Sequence, residues 1–193
     1  MWRWGEEALR FHELPLRGAF LIEPESFHDI RGSFTRIWCR SEAAAHELNT
    51  EWAQVNVSHN HRRGTLRGLH FQYPPHQEVK LVQCIAGAVF DVMVDLRQGS
   101  PTFGRWYGAE LTAENQRLLY IPKGFAHGYL TLVDNAKVLY QVSQFYQPDH
   151  QGGYRYDDPK FGIQWPKVAD DFILSDRDRS LPYWSPHDRP LPG

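Results

Sequence analysis

Apolar residues along this chain come in short runs rich in β-branched and aromatic side chains, and Gly, Pro, Asn or Asp stands between most of them. Ten such runs read as strands, over residues 19–23, 33–38, 54–58, 66–72, 79–84, 88–96, 105–111, 117–121, 127–132 and 137–143. Short strands at close spacing with turn signals between them predict an all-β sandwich or barrel. Two runs alternate cleanly. Phe90, Val92, Val94 and Leu96 share one face against Asp91, Met93 and Asp95; Val138, Tyr140 and Val142 share another against Gln141 and Ser143. On the residues alone, Tyr140 reads as a core tyrosine whose hydroxyl finds a neighbour. One helix is predicted, over residues 41–48, because alanines favour it and Ser41 is placed to cap it.

The stretch LRGLHFQYPPHQEVKLV, from Leu66 to Val82, breaks this pattern by putting Arg67, His70 and Lys80 into segments that otherwise read as strand. An unpaired buried charge costs several kcal/mol to desolvate, so these residues need a reason to be there. Arg67 and His70 are three residues apart, and a regular strand sends them to opposite faces. Gly68 lies between them and can hold a bulge that re-aims one side chain. With both in one cavity the site is cationic and suits an anionic ligand such as a phosphate. With a regular strand, Arg67 is a surface arginine and His70 a lone core histidine.

The chain of 193 residues is long enough for one sizeable core, and a single domain over residues 1–193 is expected, with about fifteen residues at each end peripheral. A net charge of -2, with Arg62-Arg63 the nearest thing to a basic run, argues against nucleic acid as a partner. Cys39 and Cys84 fit no zinc spacing and make a weak disulfide framework. The start, Met1-Trp-Arg-Trp-Gly-Glu-Glu, is too polar for a signal peptide, and no apolar run approaches the ~18 residues of a membrane span. A cytoplasmic protein without a membrane partner is expected. Neither a dinucleotide fingerprint nor a phosphate loop is present, so neither kind of nucleotide-phosphate chemistry is announced.

Pro122-Lys-Gly-Phe-Ala-His127 resembles the second cupin motif, a turn feeding a strand whose histidine looks into the barrel. Metal-binding cupins carry His-x-His and a carboxylate in the first motif. This chain reads His70-Phe71-Gln72, with no carboxylate at that spacing. Two histidines and two amides make a poor ligand set for a transition metal, so no metal is expected. Together, RGTLRGLHFQ, KLVQCIAGAVFDVMVDLRQGSPTFGRW, IPKGFAHGYLTL, VLYQVSQFYQP and DDPKFGIQWP are similar to the dTDP-4-dehydrorhamnose 3,5-epimerase family, over about Leu14 to Asp178. The resemblance implies a cupin-type jelly-roll barrel with short peripheral helices. It also implies a homodimer, a nucleoside-diphosphate sugar substrate, and no metal or redox cofactor.

The resemblance also implies roles. His70 matches the base and Asp178, in ILSDRD, its carboxylate partner; Lys80 matches the cation near a developing enolate oxygen. Tyr140 matches the acid, with a working pKa lowered by cationic neighbours. Arg67 and His127 match contacts to sugar and diphosphate. Gln54, Asn56 and Arg31 match nucleotide contacts, some of them reached from a partner subunit. Arg36 and Gln151 stand where family members carry glutamates, and Arg177 where they carry a lysine; Arg36 and Gln151 are therefore expected beside the nucleotide. The reaction implied is epimerisation at C3, C5 or both of a nucleoside-diphosphate 4-keto-6-deoxyhexose in deoxysugar biosynthesis. The alternatives are a 3-monoepimerase, a 3,4-ketoisomerase, which Tyr140 argues against, and a non-catalytic sugar-nucleotide-binding cupin. His76 reads as a loop residue.

Overall fold

Residues 8–192 are described by the structure, a computed structural model; the polar stretch 1–7 and Gly193 lie outside the described residues. In chain order the strands are β1 (Leu9–Glu13), β2 (Phe20–Pro24), β3 (Ser26–Asp29), β4 (Gly32–Thr35), β5 (Gln54–Asn60), β6 (Leu66–Gln72) and β7 (Lys80–Ala86). They continue with β8 (Ala88–Asp95), β9 (Trp106–Thr112), β10 (Leu118–Ile121), β11 (Phe125–Thr131), β12 (Ala136–Val142) and β13 (Gln151–Gly153). A six-stranded antiparallel sheet has the order β1-β2-β10-β7-β12-β5, and a five-stranded one β13-β6-β11-β8-β9. Neighbours far apart in the chain give the jelly-roll arrangement. The pair β3–β4 stands apart as its own hairpin. Among the described residues, no helix is long and apolar enough to cross a membrane.

Every run read as a strand overlaps one, and β6 coincides with its predicted span. The run 33–38 is the least faithful: β4 stops at Thr35, and Ile37 and Trp38 pack against the outer face of the larger sheet instead. Strands β1, β3 and β13 carry too little pattern to be read; β13 is only Gln-Gly-Gly. The helix α1 (Arg40–Ala45) is present, but Ser41 does not cap it. Its cap position is Cys39, whose side chain makes no capping bond, and Ser41 lies inside the helix. The turn is held from elsewhere: the Glu42 carboxylate accepts from the backbone N–H groups of Ala8 and Leu9 at 3.0 and 2.9 Å. A second short helix, α2 (Asp176–Arg179), does carry a side-chain cap, the Ser175 hydroxyl accepting from the Asp178 N–H.

Three apolar clusters follow from the period of two along the strands. Val82, Cys84, Leu119, Ile121 and Val138 of the larger sheet meet Val89, Met93, Leu111, Phe125 and Tyr129 of the smaller one. Outside the larger sheet, Ile22, Leu81 and Leu118 pack under the α1 segment and Trp52. Outside the smaller sheet, Val92, Val94 and Leu96 are covered by Tyr154, Phe161 and Leu191, with Trp165 and Trp184 against them. The more apolar face of β8 is thus turned away from the barrel interior. Asp91 and Met93 look inward.

The pairing of β6 with β11 is irregular at one place. His127 pairs with His70, but Tyr129 pairs with Arg67, so Gly68 and Leu69 together stand opposite Gly128. This bulge puts Arg67 and His70 on the same, inward face. It requires glycine: Gly68 has φ +114°, and a Cβ there would lie 2.6 Å from the His127 carbonyl oxygen and 2.7 Å from the Gly128 Cα. Gly68→Ala is expected to destabilise the fold by about 2 kcal/mol or more, from backbone strain and overlap. For a chain of this size that lowers the thermal midpoint by roughly 4–8 °C. An unchanged midpoint in calorimetry contradicts this account of the bulge.

Candidate active site

Where β5, β12 and the start of β7 face β6 and β11, the interior stops being apolar and opens into a cavity of about 520 Å³. The edge strand β5 shows the change most plainly. Its inward positions are Gln54, Asn56, Ser58 and Asn60, while Val55 and Val57 point out and are exposed. All the residues named from the sequence except Arg31 and Arg36 line this cavity. The two walls come from different sheets: His70, Arg67 and His127 from the smaller, Tyr140, Lys80, Gln54 and Asn56 from the larger.

On the first wall, His70 Nε2 lies 2.6 Å from Asp178 Oδ1. An ionised carboxylate can only accept, so Nε2 carries the proton and Nδ1 is left as the basic nitrogen. Asp178 is buried on α2, where the Ser175 cap fixes its backbone and the Gly68 N–H reaches its Oδ2 at 3.4 Å. Burial alone raises this carboxyl's pKa; the His70 ring, the Gly68 N–H and Ser175 outweigh it and hold Asp178 below the usual carboxylate range. A second pair lies alongside, His127 Nε2 at 3.0 Å from both carboxylate oxygens of the fully buried Asp91.

Arg67 is aimed by a network absent from the sequence reading. Its Nε donates to Asn60 Oδ1 at 2.8 Å, leaving the terminal nitrogens available to a ligand. Asn60 is held by its amide to the Ala136 carbonyl at 3.2 Å and also accepts from the Tyr129 hydroxyl at 3.3 Å. Tyr129 in turn shares a hydrogen bond with Ser58. The available signal was parity: Ser58 and Asn60 continue the inward series begun by Gln54 and Asn56.

On the second wall, Lys80 Nζ pairs with Glu78 Oε1 at 3.1 Å. Gln72, which stands where a metal-binding pattern has histidine, accepts from the Gln147 N–H at 2.7 Å. Its amide nitrogen lies within 3.3 Å of the His76 and Phe145 carbonyls and of Glu78 Oε2. Gln72 is therefore engaged in holding loops and a carboxylate. Among the described residues, no group of three or more His, Cys, Asp and Glu side chains is gathered as a metal ion would need.

Tyr140 is neither the buried core residue nor the acidified phenol that the sequence suggested. It packs against the central cluster with its ring and lines the cavity. Its pKa is raised, first by burial and then by Glu78; Arg67 pulls the other way and is outweighed. The expectation of a lowered value counted the cations and left out burial, the larger effect, and then the Glu78 carboxylate. Gln151 lines the cavity, its side-chain carbonyl accepting from the Tyr146 hydroxyl at 2.7 Å, and Arg177 lines it from α2. Arg36 pairs instead with Glu42 at 3.0 Å beside α1. Arg31 sits on the β3–β4 hairpin, bonded to Asp29, outside the cavity.

The arrangement is suited to removing a proton on one side of a bound anion and returning one from the other side. Among known proteins, the profile of the family described as dTDP-4-dehydrorhamnose 3,5-epimerase matches residues 13–185. A dTDP-4-dehydrorhamnose 3,5-epimerase of Methanothermobacter thermautotrophicus is 44% identical over 92% of this chain and 94% of that protein. The crystal structure of the Bacillus anthracis enzyme of the same description, with TDP and PPi bound, superposes with a TM-score of 0.88 at 43% identity, covering 92% of this chain and 100% of that one. A dTDP-6-deoxy-D-glucose-3,5-epimerase of Legionella pneumophila in complex with dTDP-4-keto-L-rhamnose gives a TM-score of 0.84 at 34% identity, covering 92% and 99%.

Because the Asp178 carboxyl has a depressed pKa in the fold, its ionic contribution to stability is present above the unfolded value of about 3.9 and lost as pH falls through the folded value. Asp178→Asn is expected to cost about 1–3 kcal/mol at neutral pH. The gap from wild type should close in acid. A pH-independent gap in thermal unfolding would show that the carboxylate's charge contributes nothing.

Proposed function

Because the chain belongs to the dTDP-4-dehydrorhamnose 3,5-epimerase family, we propose that it is an isomerase acting on a nucleoside-diphosphate 4-keto-6-deoxyhexose in deoxysugar biosynthesis, inverting C3 and C5 through enolates. The observation that carries the reading is a base and a hydroxyl acid on opposing walls of one cavity, His70 with Asp178 on one side and Tyr140 on the other. The 4-keto group acidifies the C–H bonds at C3 and C5, on either side of the carbonyl carbon, so inversion needs only proton removal and return from the opposite face. His70 Nδ1 takes the proton, and Asp178 stabilises the imidazolium that forms. Negative charge develops on the C4 oxygen, where Lys80 meets it. Tyr140, kept neutral by its surroundings, returns a proton from the far wall.

Arg67, Arg177 and His127 hold the diphosphate and sugar, which suits a fork of donors and a cation beside phosphate oxygens. Gln54, Asn56 and Gln151 face the nucleotide. Arg31 serves that role from a second subunit, since its hairpin stands away from its own cavity. The homodimer is supported by exposed apolar residues: Ile30 at the hairpin tip, Phe34, and Val55 with Val57 on the outward face of β5. The proposed compartment is the cytoplasm, as Cys39 and Cys84 are both free thiols that a reducing compartment preserves.

Incubated in heavy water with dTDP-4-keto-6-deoxyglucose, the protein should incorporate deuterium at C3 and C5. His70→Ala should slow incorporation at both carbons by about 10²–10⁴-fold. Exchange at C3 alone identifies a 3-monoepimerase; none at either carbon with dTDP-, UDP-, GDP- and CDP-linked substrates removes the reading. Mixing the inactive variants Arg31→Ala and His70→Ala should restore activity, because the mixed dimer holds one site with both residues intact. A monomer in light scattering, or no recovery on mixing, argues against the shared site.

A further inference from the structure

Glu78 is the cavity carboxylate that the proton transfers above leave unused. Its side chain is 13% exposed, and it is fixed from two directions. Oε1 lies 3.1 Å from Lys80 Nζ, and Oε2 accepts from Gln72 Nε2 at 3.2 Å. Gln72 is itself anchored by the Gln147 N–H at 2.7 Å. A site for a diphosphate gains nothing in affinity from a carboxylate on its wall, and a nearly buried charge is costly unless paired. The pairing is therefore the informative feature. Lysine carries its charge on a flexible four-carbon stem, and a cation useful only at one oxygen has to be held there.

We propose that Glu78 is a positioning residue of the reaction, clamping the Lys80 ammonium at the reacting end of the cavity through a carboxylate that Gln72 holds in place. The inference rests on the epimerase reading. Lys80 touches the developing enolate oxygen; Glu78 acts through it.

The same carboxylate acts on Tyr140. Lys80 of β7 lies on the same wall as that hydroxyl, and Arg67 and His70 of β6 and His127 and Tyr129 of β11 line the cavity with it. So do Arg177 and Asp178 of α2 and Tyr146 of the segment after β12, while β5 presents only amides and a hydroxyl. Asp178 and Asp91 are each paired with a histidine and Glu78 with Lys80, and of these carboxylates it is Glu78 whose charge acts on the phenol. It adds to burial in raising the Tyr140 pKa.

Glu78→Gln keeps the shape and removes the charge. At neutral pH, where Tyr140 is protonated with or without Glu78, its kcat should fall roughly tenfold with KM little changed, the mark of an interaction made in the transition state. The alkaline limb of kcat should move to lower pH. Combined with Lys80→Met, it should cost no more in kcat than Lys80→Met alone, because residues acting as a unit are not additive. The Tyr140 titration is followed without substrate by carbon NMR of ring-labelled tyrosine, assigned through Tyr140→Phe, and should shift to lower pH in Glu78→Gln. Wild-type kcat in Glu78→Gln, full additivity with Lys80→Met, or an unmoved Tyr140 titration overturns the proposal. Absence of deuterium exchange in the wild-type protein instead removes the epimerase reading and leaves the substrate-free titration to test the charge of Glu78 alone.

Discussion

The close approach of β6 to β11 at Gly68 is the constraint on which the site depends. The bulge turns the strand by one position, so that Arg67 and His70 look into the same space. It also turns the Gly68 N–H toward Asp178, tying the C-terminal helix to the strand that carries His70. Any side chain at Gly68 would collide with backbone atoms of β11, which cannot yield as a flexible side chain can. One residue without a Cβ thus sets the geometry of His70, Asp178 and Arg67 together.

Around that point the interior obeys a second rule, that each charge taken from water has a partner. Asp178 is bound to His70, Asp91 to His127, Glu78 to Lys80, and Arg67 to the carbonyl of Asn60. These pairs do more than offset desolvation. Each fixes the direction of a group on the cavity wall and leaves another atom of it available: Nδ1 of His70, the terminal nitrogens of Arg67. Buried pairs contribute little net stability but specify geometry, which is what proton transfer requires.

Much of this was legible in the sequence because it is local. Period-two alternation and Gly, Pro and Asn turns depend on neighbouring residues, and ten of the thirteen described strands overlap the runs they predict. The failures are non-local. Ser41 looked like a cap, but α1 is held by Glu42 reaching Ala8 and Leu9, more than thirty residues earlier. Arg36 is expected beside the nucleotide, and the turn after β4 carries it out of its own chain's cavity to Glu42 on the outer layer. Tyr140 was expected to have a lowered pKa because its cations could be counted, while the burial and the Glu78 charge that raise it appear only when three segments meet.

The sequence by itself determined the strands and the kinds of chemical group brought to the site, since motif spacing and alternation are properties of the chain. The motifs GLHFQ, GFAHG, VLYQVS and LSDRD resemble one family, and that resemblance implies which residues serve as base, partner and acid. Tertiary structure alone decided the direction and protonation of those groups. It selected the bulge over the regular strand at Gly68, placed His70 and Tyr140 on facing sheets, and joined Lys80 to Glu78 and Gln72. The reason is physical: a side chain's orientation and pKa depend on what lies within a few ångströms, and in a jelly roll those neighbours come from strands distant in the chain.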